Sequence, residues 1–322
     1  MDSQYVIGID VGGQTTKLGV VDARGTVLAQ TVIRTDTYSD FEPYLDELAD
    51  ALNKIIADAK AEGKIRGIGV GAPNANYYTG IVDNAVNIPW GVNSKIEFAR
   101  LLSEKMNGLK VSLTNDANAA AVGEMTYGAA RGMKNFIMIT LGTGVGSGIV
   151  INGQLVYGSD GFAGELGHVV MKRTNGRVCG CGRTGCLEAY CSATGVARTA
   201  REYLEIREEP SLLRNIPIED ITSKDVYDAA VKGDKLAKEI FDFTGNLLGE
   251  AFADFICFSS PQAIILFGGL TKSGDLLMNP IRESMERNTL FCYKGKTKLL
   301  LSELKESDAA VLGASALGWE AK

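Results

Sequence analysis

Apolar and polar positions along the chain fall into short runs separated by glycine, and the period of each run decides which element it predicts. The segment "YVIGIDVGGQTTKLGVVDARGTVLAQTVI" reads as strand, glycine turn, strand, turn, strand. A second segment, "FIMITLGTGVGSGIVINGQLVYGS", repeats that plan 130 residues later, aligning Ile7 with Ile137, Ile9 with Ile139, Asp10 with Thr140, Gly12 with Gly142 and Val20 with Val150. Two copies of one supersecondary unit are expected. Between them, Phe41, Tyr44, Leu45, Leu48, Leu52, Ile55 and Ile56 recur at helical spacing, up to a stop at Gly63. "IRGIGVGAP" and "VSLTND" follow as short apolar strands that lead into small or polar residues, the second into an Ala-rich helix. The second half predicts helices near 187–207, 223–231 and 234–258, with Thr222, Ser223 and Asp225 marking a helix start. The strand "AIILFGG" and a terminal helix "SDAAVLGASALGWE" complete the chain, and "REEPSLLRNIPIED" is its most loop-like stretch. Strands alternating with helices predict an α/β fold, in which ligands gather at the carboxyl ends of strands.

Length then sets the domain count. A chain of 322 residues, at about 150 residues per domain, is expected to form two packed units with a cleft between them. Its 45% hydrophobic and 22% charged residues are those of an ordinary globular protein, and a net charge of −6 gives no general attraction to nucleic acid or anionic membrane. "MDSQYVIGID" lacks the basic region, long apolar core and cleavage site of a signal peptide. No apolar run approaches the length of a membrane span. A cytoplasmic enzyme acting on a small molecule is expected, with no nucleic-acid or membrane partner and a homodimer or higher homo-oligomer as its assembly. Six cysteines in such a chain argue against a disulfide framework, so clustered thiols point to metal or catalysis.

Two glycine loops carry the first candidate chemistry. "DVGGQTTK", Asp10 to Lys17, follows a strand and combines a carboxylate with Gly12 and Gly13, whose backbone N–H groups can approach phosphate, and with the hydroxyls of Thr15 and Thr16. A carboxylate beside phosphates can hold Mg²⁺ directly or through water. Neither the Walker A nor the dinucleotide spacing is present, and a Gly-Gly turn alone is also ordinary hairpin chemistry. "LGTGVGSG" is the equivalent loop of the second repeat, bringing Thr140, Gly142, Thr143 and Gly144. The pair is suited to hold the β- and γ-phosphates of one nucleotide, and Gly268 and Gly269 in "LFGGL" suit close approach to the nucleoside.

"GELGHVVMKRTNGRVCGCGRTGCLEAYCS" holds the chain's single histidine and four of its cysteines. His168, ten intervening residues, Cys179, one residue, Cys181, four residues and Cys186 supply an imidazole and three thiolates, the ligand set of a closed structural Zn²⁺ site. Cys191, Cys257 and Cys292 lie outside the pattern and read as structural thiols. The metal would tie Glu165, His168 and Glu188 into one rigid wall, with the second imidazole nitrogen of His168 offered to a substrate oxygen. In "LTNDANAA", Asp116 stands between a strand and a helix, where a helix cap and a carboxylate that accepts a hydroxyl proton during phosphoryl transfer are both open readings.

Asp10 to Thr16, "TNDANAAAVGE", "LGTGVGSG", "GELGH" and "CGCGRTGCLE" stand in the order and spacing of the ROK family (repressor, open reading frame, kinase), which the chain resembles over nearly its whole length. The resemblance implies the actin/hexokinase-like (ribonuclease H-like) fold, with an N-terminal domain of residues 1–116 plus 308–322 and a C-terminal domain of residues 117–307 bearing the zinc loop. It implies ATP-dependent phosphorylation of the 6-hydroxyl of a hexose, glucose above all, with Mg²⁺ and a structural Zn²⁺. Asp116 matches the family's catalytic aspartate. Glu165, His168 and Glu188 match positions that hold sugar hydroxyls, as would Asn115 and the backbone at Gly71 and Ala72. N-acetylmannosamine kinases, fructokinases and sugar-responsive repressors belong to the same family; a repressor would need a helix-turn-helix, whereas here the first loop's strand starts at Tyr5. The chain departs from the commoner pattern at Asn74, where glycine usually follows the proline, and at "NIPWG", where the tryptophan is placed differently. Both departures bear on the identity of the sugar.

Overall fold

The computed structural model describes residues 4–305 and 308–321. The sequence-based expectations for residues 1–3, 306, 307 and 322 lie outside the described residues. The chain opens with β1 (Tyr5–Val11), β2 (Thr15–Asp22) and β3 (Val27–Arg34), then α1 (Phe41–Asp58), β4 (Ile65–Gly71), β5 (Ala75–Asn76), β6 (Ile81–Asp83), β7 (Lys95–Ile96), α2 (Phe98–Lys105), β8 (Val111–Thr114) and α3 (Asp116–Tyr127). It continues through β9 (Phe136–Leu141), β10 (Val145–Ile151), β11 (Gln154–Leu155), α4 (Glu188–Cys191), α5 (Ala193–Ile206), α6 (Ser223–Val231), α7 (Lys235–Ser259), β12 (Ala263–Phe267), α8 (Asp275–Asn288), β13 (Lys298–Leu301) and α9 (Ala309–Gly318). None of the described helices is long and apolar enough to cross a membrane.

Two five-stranded sheets share one plan. Their orders are β3-β2-β1-β4-β8 and β11-β10-β9-β12-β13, each an antiparallel hairpin extended by parallel strands. The hairpin strands β2 and β10 begin at Thr15 and Val145, the offset read from the sequence repeat. β5, β6 and β7 form a small separate sheet.

By their contacts, residues 1–133, 148–164 and 302–322 group as one compact unit, and residues 134–147 and 165–301 as a second. The boundary expected after Asp116 falls inside the first unit, because α3 packs on α9. A Cβ on Gly123 would stand 2.6 Å from the Cα of Gly313, so the two helices touch backbone to backbone. α9 also lies directly on the first sheet: a Cβ on Gly8 or Gly69 would come within 2.0 Å of the Val311 or 1.9 Å of the Ala314 carbonyl oxygen. All seven apolar residues assigned to the α1 face are buried. That helix ends at Asp58, ahead of Gly63, because Lys60 already adopts a left-handed φ of 53°. Glu124 of α3 is buried, receiving the Ser302 hydroxyl and, at 2.8 Å, the N–H of Ala129.

In the second unit the helix expected over 187–207 breaks into α4 and α5 at Ser192, whose hydroxyl accepts the Gly195 N–H and caps α5. α6 starts at Thr222 with a reciprocal capping box to Asp225, as its sequence suggests. α7 and α8 pack closely at Gly245 and Gly249, where a Cβ would stand 2.5 Å from Pro280 and from Ser284.

Candidate active site

Strand register lines up the first unit's candidate residues. Asp10 on β1 lies opposite Gly71 on β4, and Gly71 opposite Thr114 on β8. All three are at carboxyl ends of parallel strands, where backbone polar groups leave the ladder and become available to ligand. Asp10 feels its surroundings strongly: burial, then the charge of Asp116, push its carboxyl up to about 6, against the pull of Lys17 across the hairpin. Asn115 caps α3, its Oδ1 accepting the Asn118 N–H at 2.7 Å. Asp116 is the helix's first residue and, among the described residues, accepts only the adjacent Ala117 N–H, at 2.8 Å. Gly71 crowds this corner, since a Cβ there would sit 3.2 Å from that of Ala119, and the Ala72 N–H closes on the Thr114 carbonyl at 2.9 Å.

In the loop of residues 12–14 the Gly12 N–H is used internally, bonding the Thr15 carbonyl at 3.0 Å. The N–H groups of Gly13 and Gln14 have no partner among the described residues. Gly13 must be glycine for a local reason as well, because a Cβ would lie 2.5 Å from the Asn87 carbonyl oxygen. Thr16 corrects the sequence reading. Its hydroxyl is fully buried against Thr35 at 2.9 Å and Tyr44 at 2.7 Å, so it belongs to the core and not to the loop's open side. Thr15 and Lys17 are half-buried on the opposite face of β2.

The two family departures have physical explanations. Asn74 holds a left-handed φ of 53°, the conformation for which glycine is otherwise favoured, and its amide bonds the Asp83 and Asn84 carbonyls at 3.2 and 2.9 Å. Trp90 is buried among Phe41, Tyr44 and Phe98, with ring centroids 5.0, 5.0 and 6.2 Å away. It is a core residue of this unit.

The second unit repeats the arrangement of strand ends. Thr140 on β9 lies opposite Phe267 on β12, so the loops that begin at Gly142 and Gly268 leave adjacent strands. The first of these loops is held by its neighbours chiefly through its carbonyls. The Gly142 carbonyl accepts the Ala193 N–H at 2.8 Å, the Thr143 carbonyl accepts the Thr194 hydroxyl at 2.9 Å, and the Val145 N–H donates to Glu188 Oε2 at 2.9 Å. The Thr140 hydroxyl accepts the Gly146 N–H at 3.2 Å, and the Gly142 N–H reaches the Gly144 carbonyl at 3.0 Å. Among the described residues, the N–H groups of Thr143 and Gly144 have no partner. Gly268, with φ 111°, leaves no room for a side chain because a Cβ would meet the Leu141 carbonyl oxygen at 2.4 Å; Gly269 faces open space.

His168, Cys179, Cys181 and Cys186 converge as their spacing predicts, with one ligand atom from each lying within 4.8 Å of all the others. The Cys181 and Cys186 sulfurs are 3.7 Å apart, and His168 Nδ1 is 3.8 Å from the Cys179 sulfur. A tetrahedral shell with Zn–S bonds of about 2.3 Å spaces its sulfurs by about 3.8 Å, so the donor set fits zinc in size as well as in chemistry. Gly182 and Gly185, at φ 84° and 85°, make the tight turns between the thiols. His168 Nε2 lies 3.9 Å from Glu165 Oε2. Glu188 has its Oε1 3.5 Å from the Cys179 sulfur, while its Oε2 holds the loop at Val145.

Arg177 went unnoticed in the sequence. It is buried beneath the cysteine loop, ion-paired to Glu202 at 2.6 Å, bonded to the Ala189 and Gly195 carbonyls, and lies over the Tyr190 ring at 4.5 Å. Thr194 was missed too, and only the fold reveals either residue, since the contacts join segments that sequence spacing does not link.

The family model described as the ROK family matches residues 6–321. The glucokinase of Halalkalibacterium halodurans is 37% identical over 100% of this chain and 96% of its own, and that of Thermotoga maritima is 35% identical over 98% of each. Among solved structures, a ROK family glucokinase from Streptomyces griseus in complex with glucose and AMPPNP superposes with a TM-score of 0.78 at 32% identity, covering 98% of this chain and 99% of that one. The duplicated five-stranded sheets are those of the actin/hexokinase-like fold. By its full-length match in sequence and in fold, the chain belongs to the ROK family.

Proposed function

We propose that this protein is a glucokinase that transfers the γ-phosphoryl group of ATP to the 6-hydroxyl of glucose. The full-length similarity to glucokinases carries the reading, and the strand-end residues give it a mechanism. In the first unit, Asp116 orients the attacking hydroxyl and accepts its proton. Asn115 caps α3 with its Oδ1, which supports assigning the reacting role to the neighbouring carboxylate. Asn115, Gly71 and Ala72 hold adjacent hydroxyls.

In the second unit, His168 Nε2, Glu165 and Glu188 donate to and accept from hydroxyls that do not react. The open amides at Thr143 and Gly144 suit phosphate oxygens, and so, in the first unit, do those at Gly13 and Gln14. Asp10, Thr15 and Lys17 face the same chemistry, and Thr140, Gly268 and Gly269 border the second loop. Mg²⁺, which neutralises phosphate charge when bound, would be held by Asp10. The crowding of Asp10 by the charge of Asp116 supports a cation at that end of the sheet. Zinc held by His168, Cys179, Cys181 and Cys186 would supply structure and no reaction step.

A coupled assay of ADP release across glucose, fructose, mannose, N-acetylglucosamine and N-acetylmannosamine tests the reading. Glucose should give the highest kcat/KM. A higher value for N-acetylmannosamine would reassign the enzyme to the N-acylhexosamine kinases, and no ADP release with any sugar would overturn the kinase reading.

A further inference from the structure

The metal-ligand loop grips the glycine loop from two sides, and the metal would join the two grips. On one side, the turn ending at His168 packs on the strand that follows the loop: a Cβ on Gly167 would stand 2.0 Å from the Val145 carbonyl oxygen, and the Leu166 N–H bonds the Ser147 hydroxyl at 3.0 Å. On the other side, the segment after Cys186 supplies Glu188 to the Val145 N–H, the Ala193 N–H to the Gly142 carbonyl and the Thr194 hydroxyl to the Thr143 carbonyl. The Ser192 hydroxyl, donating to the Glu188 carbonyl at 2.8 Å, ties that segment to itself. His168 belongs to the first grip and Cys186 to the second, so one ion bound to both would close a ring around residues 142–147.

We infer that the metal site sets the shape of the glycine loop and thereby the affinity for the nucleotide's phosphates, with Thr194 as a positioning residue. This inference rests on the nucleotide role proposed for that loop. The loop's two open amides bind phosphate well only while its carbonyls are held aside, because a rotated peptide would present oxygen where N–H is needed. Thr194 touches no reacting atom in this scheme. It acts by fixing the Thr143 carbonyl, a single hydrogen bond whose loss is worth about five- to tenfold in an equilibrium constant.

The test compares wild-type protein with Thr194→Val and Thr194→Ser. AMPPNP affinity is measured by calorimetry without sugar, zinc content by metal analysis, and KM for ATP and glucose by steady-state kinetics. Thr194→Val should weaken AMPPNP and raise KM for ATP about five- to tenfold, with glucose KM and zinc content unchanged, and Thr194→Ser should restore wild-type values. Unchanged AMPPNP affinity in Thr194→Val, or an equal rise in both KM values, overturns the inference. In a second arm, zinc is withdrawn from wild-type protein with a chelator while circular dichroism follows folding. AMPPNP affinity should fall with the zinc released and return when Zn²⁺ is added back. Folded, zinc-free protein that binds AMPPNP as before overturns the inference, and if chelation unfolds the chain, the Thr194 variants decide it. Failure of wild-type protein to bind AMPPNP at all would instead remove the nucleotide role on which the inference stands.

Discussion

Asn115 and Asp116 are neighbours with divided duties: Asn115 accepts the Asn118 N–H and caps α3, while Asp116, among the described residues, accepts only the N–H next to it. The division separates two substitutions that otherwise look alike. Asp116→Asn should fold as wild type and lose about 10²-fold or more in kcat, the range for removal of a general base, with a small change in glucose KM. Asn115→Ala should lower stability by about 1 kcal/mol through loss of the cap, visible in thermal melts. Near wild-type turnover in Asp116→Asn would move the catalytic role elsewhere, with Asp10 the next carboxylate in line.

Asp10 gives the protein a pH signature. Its carboxyl is pushed from an ordinary 3.8 to about 6, by burial first and by the Asp116 charge second. Between those values the folded protein keeps a proton that the unfolded chain has released, so stability falls as pH rises through that window and the deficit is complete above it. Such a shift corresponds to a penalty on the order of 3 kcal/mol. Asp10→Asn should therefore raise the melting temperature at pH 7.5 and leave it nearly unchanged at pH 4, while abolishing activity. An equal gain at both pH values would assign the effect to something other than this carboxyl.

Gly142 and Gly144 differ in what a side chain would meet. Nothing lies within 4 Å of a Cβ on Gly142, whereas one on Gly144 would stand 2.5 Å from Glu188 Oε2. Gly142→Ala should weaken ATP binding alone, by intruding on phosphate. Gly144→Ala should also displace Glu188 and raise the glucose KM. Calorimetry with each ligand distinguishes them, and an unchanged glucose affinity in Gly144→Ala would remove Glu188 from the sugar-binding set.

Thr16→Val should cost about 1–3 kcal/mol, because Thr35 and Tyr44 lose a buried partner. KM for ATP should stay at its wild-type value. A rise in that KM without loss of stability would return Thr16 to the phosphate loop.

The repeat at an offset of 130 was legible because strand-glycine-strand patterns survive in sequence, and the cluster of His168 with Cys179, Cys181 and Cys186 because its spacing is that of a metal-ligand set. Thr16 was legible in principle: Thr16, Leu18 and Val20 are buried at every second position of β2, so its side chain shares the core face. α2 and α8 escaped notice for different reasons. α2 is only eight residues long and half polar, and α8 carries Pro280 inside it. Nothing local to Glu124 announces that Ser302, 178 positions away, closes over it.

The contact of α9 with Gly8 and Gly69 has a consequence for how the chain is made. Synthesis delivers β1 and β4 well over two hundred residues before the helix that covers their glycines. Every strand of the second sheet precedes Ser302, so that sheet can close while the first still waits with a bare face. Until α9 is made, the glycine face of the first sheet lacks its cover, and exposed apolar surface of that kind favours aggregation.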